Sequence, residues 1–162
     1  MGKKSFGVLS ATVLTLVLLA VPFAQATEVT RESYKEAVEP ICKTNVRANE
    51  RILKGVKGEV KAGKLKLAAT QFSKAASALH KALAKLKAVP QPTADQAKLA
   101  KWLKYIQEEE GFFSQIGKKL KAGDKNGATK MQILLVNTAE KANNEVLAFE
   151  FRYCKVNPSK FS

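Results

Sequence analysis

Four polar side chains fall on or beside apolar helical faces, and they are the first residues to ask about chemistry: Asn45, Asn49, His80 and Glu110. From "VEPICKTNVRANERIL" (38–53) onward, Val38, Cys42, Asn45, Asn49, Ile52 and Val56 recur at steps of three and four. On a helix that spacing puts two amides and a cysteine on one apolar side. Amides in such a place either hold a ligand or metal ion inside the fold, or hydrogen-bond to a neighbouring helix and set its register, as buried asparagines do in coiled coils. The register reading is the preferred one, with helix four supplying the partners from "ANNEVLAFEFRYC", where Asn143 and Glu150 border the stripe. His80 borders the stripe of Leu79 and Leu83 at the level of Asn45 and Trp102, where it either joins a small polar pocket or stays hydrated on the flank. Glu110 lies on the line of Leu103, Ile106, Phe113 and Gly117, with Glu108 and Glu109 turning progressively away. Buried and alone, its carboxyl would be costly and its pKa raised; the abundant lysines offer partners on the flank.

The chemistry that is missing narrows the function. With a single histidine, a histidine-based metal cage is excluded, and there is no Glu-x-x-His pair of the di-iron bundle type and no c-type haem motif. Neither a serine nucleophile elbow nor a glycine-rich phosphate loop occurs. The expectation is therefore a protein that is not an enzyme, with no catalytic residue, no cofactor and no metal centre.

Long helices must position these residues. Tyr34, Val38, Ile41, Asn45, Asn49, Ile52, Val56 and Val60 trace a first stripe, with Pro40 kinking its opening turns or marking where the regular helix starts, and Gly55 and Gly58 weakening its second half. A second runs from Leu65 to Leu86 and is stopped by "VPQP" at 89–92; a third runs from Leu99 to Leu120, and a fourth from Ala128 to Tyr153. No stretch alternates with the period of a strand. "KAGKLKLA" (61–68) and "KAGDKNGA" (121–128) echo each other where one helix should end and the next begin, each with a glycine suited to a left-handed helix stop and an alanine that permits close approach. Two helical hairpins are implied. The expected fold is all-α, an up-down-up-down four-helix bundle, with a two-unit array of hairpins as the weaker alternative.

The start of the chain reads as an address. A basic "MGKK", an apolar "FGVLSATVLTLVLLAV" and a small-residue "AQA" at 24–26 form a signal peptide over residues 1–26, leaving 27–162 as a single domain in a secreted or extracytoplasmic setting, with no transmembrane anchor once the signal is removed. In that setting the two cysteines, Cys42 and Cys154, are expected to form a disulfide between the start of helix one and the end of an adjacent, antiparallel helix four.

Charge is the other strong signal. The chain carries a net +14, and loss of Lys3 and Lys4 with the signal peptide brings it to +12. Between Lys61 and Gln107 there are ten lysines and one acid, Asp95. Lys74, Lys81, Lys85, Lys98, Lys101 and Lys104 make the candidate anion-binding face, suited to an anionic polymer or membrane surface. Lysine also solvates alanine-rich helices without binding anything. Arginine is scarce and the aromatic residues are mostly on core stripes, so a specific nucleic-acid reader is not expected.

"VEPICKTNVRANERILKGVKGEVKAGKL", "VPQP", "LKAGD" and "ANNEVLAFEFRYC" together resemble a family of small exported two-cysteine helical proteins of actinobacteria, over essentially the whole of 27–162. The resemblance implies a secreted, disulfide-bonded helical fold and transfers no site residues or activity. The function expected is that of an exported, non-enzymatic helical-bundle binding protein that engages anionic envelope components through its lysine-rich face. The alternative is a small-molecule or metal-ion carrier using the polar core residues.

Overall fold

In the computed structural model the described residues are Gly2 and 28–157. The expected signal peptide, apart from Gly2, and its cleavage site lie outside them. Four long helices are present: α1 (Arg31–Ile52), α3 (Leu65–Lys87), α4 (Gln96–Lys121) and α5 (Lys125–Glu145); a short α2 (Val56–Lys61) follows α1. No strand occurs among the described residues. The long helices alternate in direction as a four-helix bundle, with α4 packed against both α3 and α5 and with α1 packed on α3.

Each boundary has a local cause. Helix α1 opens with a reciprocal capping box: the Ser33 amide donates to Thr30 Oγ1 at 3.1 Å and the Thr30 amide donates to Ser33 Oγ at 3.0 Å. It therefore begins nine residues before Pro40 and runs through that proline. The first stripe does not continue as one helix to Val60: the chain leaves α1 at Leu53 and restarts at Val56 through Gly55, whose φ is 84°.

The two echoing segments adopt the same hydrogen-bond pattern sixty residues apart. The Lys64 amide donates to Glu59 C=O at 2.8 Å and the Asp124 amide to Lys119 C=O at 2.9 Å, closing equivalent helix stops around Gly63 (φ 74°) and Gly123 (φ 80°). Ala68 and Ala128, one turn later, are both buried as the echo anticipates. The segments differ at the cap. Asp124 accepts from the Gly127 amide at 2.7 Å, whereas Lys64 supplies no side-chain cap to α3.

Helices α3 and α4 approach closely at Gly117. A Cβ placed on Gly117 would stand 3.1 Å from the Ala69 carbonyl oxygen and 3.1 Å from Ser73 Oγ. The first of these is backbone and cannot swing aside. Gly117→Val is expected to lower stability by about 2 kcal/mol through overpacking, while Gly117→Ala stays near neutral because its gain in helix propensity offsets the tighter contact. Urea denaturation midpoints check this; an unchanged midpoint for the valine variant would mean that α3 moves away freely.

The fourth stripe does not stay helical to Tyr153. Helix α5 ends at Glu145, a single 3-10 turn covers Leu147–Phe149, and Glu150 takes a left-handed conformation with φ 50°. The reversal turns Phe149 and Phe151 into the head of the bundle. Phe149 lies 5.8 Å from the Tyr34 ring, Phe151 lies 5.6 Å from Trp102, and the two phenylalanines stack at 5.2 Å. These geometries suit aromatic pairs and bury large apolar surfaces together.

Candidate functional site

At the head of the bundle, polar groups clamp the terminal segments onto the helices. The Arg31 guanidinium donates through Nε and Nη2 to both carboxylate oxygens of Asp95, at 2.7 and 2.8 Å, and stacks over Phe149 at 5.7 Å. Asp95 is only 2% exposed, and its hydrogen bonds from Arg31 hold its carboxyl below the usual range. The Glu39 carboxylate accepts from the Arg152 amide at 2.6 Å and from the Tyr153 amide at 3.0 Å, so α1 satisfies backbone donors of the tail directly. Asn143 donates to Val156 C=O at 2.7 Å and accepts from the Val156 amide at 2.9 Å. Cys42 and Cys154 are joined across a separation of 112 residues, with Cα atoms 5.0 Å apart. The expected disulfide is present, although its second cysteine belongs to the tail beyond α5 and not to helix four itself.

The asparagines of α1 are not satisfied by helix four. Asn49 Nδ2 reaches Asn45 Oδ1 along the same helix at 3.5 Å, and Asn49 Oδ1 is buried without a partner. The physical reason is that α1 lies on α3 and not on α5. Asn143, anticipated as a partner, is taken by Val156. On α3, Gln71 donates to Lys54 C=O at 3.4 Å while its own Oε1 is buried and unpartnered.

His80 and Glu110 come together, but at the surface. His80 Nδ1 stands 3.2 Å from Glu110 Oε1, with the histidine side chain 70% exposed. Asn45, Asn49, His80 and Glu110 are thus split into one pair along α1 and another bridging α3 and α4, not gathered into one chamber. Among the described residues no three His, Cys, Asp or Glu side chains are grouped to hold a metal ion.

The buried glutamate is Glu109, not Glu110. It is 3% exposed on α4, on the same side as Trp102, Ile106, Phe113 and Ile116, and its Oε1 has no hydrogen-bond partner. Burial pushes its carboxyl up to about 8, so it is neutral in the fold at pH 7. The signal for it was in the sequence: Glu109 is three residues after Ile106 and four before Phe113, the mirror of Glu110's spacing.

The six face lysines are all exposed. Lys74, Lys81 and Lys85 follow one side of α3 at steps of seven and four, whereas Lys98, Lys101 and Lys104 drift around α4 by about 60° at each three-residue step. They form two rows on the outward sides of adjacent helices. The one acid within 61–107 is Asp95, and Arg31 has already taken it.

Fold and site together define a class, a disulfide-stapled four-helix bundle with a lysine-rich exterior. Comparison with known proteins found no matching protein family, curated relative or solved structure. Among the described residues no helix is long and apolar enough to cross a membrane.

Proposed function

We propose that this is an exported, non-enzymatic binding protein that engages an anionic component of the cell envelope through the lysine rows of α3 and α4. The observation that carries the reading is the excess of positive charge along α3 and the first turns of α4. Lys74, Lys81, Lys85, Lys98, Lys101 and Lys104 are exposed; the one acid within 61–107, Asp95, is locked to Arg31, and among the described residues only Lys104 of the six reaches a carboxylate, that of Glu108 at 4.0 Å. Such a field raises the local concentration of anionic partners and speeds their capture. A disulfide between Cys42 and Cys154 is compatible with an oxidising, extracytoplasmic compartment, as is the leader pattern at 1–26.

Retention on an immobilised sulfated polysaccharide tests the reading. The wild type is expected to elute at high salt and the Lys74→Ala/Lys81→Ala/Lys85→Ala variant clearly earlier. Elution of the wild type at the salt of a neutral protein sinks the proposal. The carrier alternative needs Asn45, Asn49, His80 and Glu110 in one enclosed chamber, and their separation into two pairs speaks against it.

A further inference from the structure

We infer that the foot of the bundle is a docking surface for a bilayer carrying anionic phospholipid. The inference rests on the anion-binding reading and adds to it a second contact, specific for lipid, at the end of the molecule opposite the Arg31–Asp95 clamp.

The two echoing loops lie side by side at this end and enclose an open apolar basin, with Leu65, Leu67 and Leu120 in its lining and Lys64, Lys66 and Lys121 around them. Leu67 is half exposed, one of the few large apolar side chains left outside the core. Within 61–67 and 118–125 there are seven exposed lysines, Lys61, Lys64, Lys66, Lys118, Lys119, Lys121 and Lys125. The single acid in those segments, Asp124, lies 3.1 Å from Lys119 and also caps α5.

Folding accounts for only part of this charge. Lys118, Lys119 and Lys121 stand in the last turn of α4, where cations complement the helix dipole. Lys64 and Lys66 stand at the start of α3, where the dipole disfavours them, and Lys64 occupies the position at which the second loop has the capping Asp124. The first loop thus has a lysine, beside an exposed leucine, where the second has a stabilising acid. A lysine rim around an apolar floor is complementary to an anionic headgroup layer over acyl chains. A soluble polyanion would use the rim but gain nothing from Leu67 and the basin, and this selects lipid as the occupant.

The experiment is sedimentation of the protein with vesicles of phosphatidylglycerol mixed with phosphatidylcholine, against pure phosphatidylcholine. Each foot lysine removed is expected to weaken partitioning about fivefold, so Lys64→Ala/Lys66→Ala/Lys121→Ala should lose about a hundredfold. The Lys74→Ala/Lys81→Ala/Lys85→Ala variant, with the same net charge, should lose far less. Leu67→Ser should weaken vesicle binding several-fold without altering elution from the sulfated polysaccharide. Equal losses for the two lysine variants would reduce the effect to diffuse charge and overturn the docking surface. Retention on the polysaccharide with no binding to anionic vesicles overturns the lipid contact alone, whereas loss of both overturns the anion-binding reading with it.

Discussion

Replacing Cys42 and Cys154 by serine is expected to lower the unfolding free energy by about 5 kcal/mol, because the bridge closes a loop spanning 112 residues and the free chain regains that loop's entropy. For a domain of this size the change corresponds to a fall in melting temperature on the order of 15–20 °C. The loss should act on the whole fold and not on the tail alone. Cys42 is in α1, and the tail it holds carries Phe149 and Phe151 into contact with Tyr34 and Trp102 at the junction of α1 and α4. The amide contacts to Glu39 and the Val156 contacts to Asn143 can keep the tail in place only while α1 and α5 are already assembled. Thermal unfolding followed by circular dichroism, with and without reductant, checks the prediction. A melting temperature indifferent to reduction would mean that these non-covalent clamps suffice.

Replacing Glu109 by leucine is expected to have a comparable effect of opposite sign, growing with pH. The carboxyl's value in the fold is raised by burial to about 8 from 4.5, so the folded state retains a proton that the unfolded chain releases. For a raised carboxyl, folding is favoured fully only below the unfolded value. Stability then falls as the pH rises from about 4.5 towards 8, and levels off above that at a deficit on the order of 4–5 kcal/mol. Glu109→Gln removes the titration and Glu109→Leu also removes the unpartnered oxygen. Urea midpoints of wild type and Glu109→Gln should therefore diverge between pH 4.5 and about 8, the interval bounded by the two values, and keep a constant separation above it. Parallel curves across that interval would show that water or a cation reaches the carboxyl. Asp95 works in the other direction. Its depressed value, caused first by the hydrogen bonds from Arg31, contributes stability above the unfolded range that is lost on acidification through the folded value. Acid side and alkaline side are thus limited by different carboxyls, and the stability optimum lies below neutrality.

The lysine rows, the paired cysteines and the count of four long helices were legible because each depends on local or compositional information. Periodicity marks which side of a helix is apolar, "VPQP" and the two glycine echoes mark where helices stop, and two cysteines leave one intramolecular pairing. The candidate polar site was less legible. Its four residues came from three different helices, and single-helix stripes say nothing about whether Asn49 and His80 face the same space.

What the sequence by itself determined was the inventory of helices, their main stops, the covalent staple and the excess of positive charge on α3 and α4. Only the tertiary structure decided which glutamate is buried. Residues 109 and 110 both lie at three- and four-residue steps from Ile106 and Phe113, and a period of 3.6 cannot separate them without the neighbouring helices that enclose α4. It also decided where α5 ends. The apolar stripe could have continued to Tyr153, but the tail instead turns at Glu150 to bury two phenylalanines and to meet Glu39 and Cys42, contacts made with residues more than a hundred positions away. Local helix propensity is a small free energy per residue, and long-range aromatic burial together with a disulfide outweighs it.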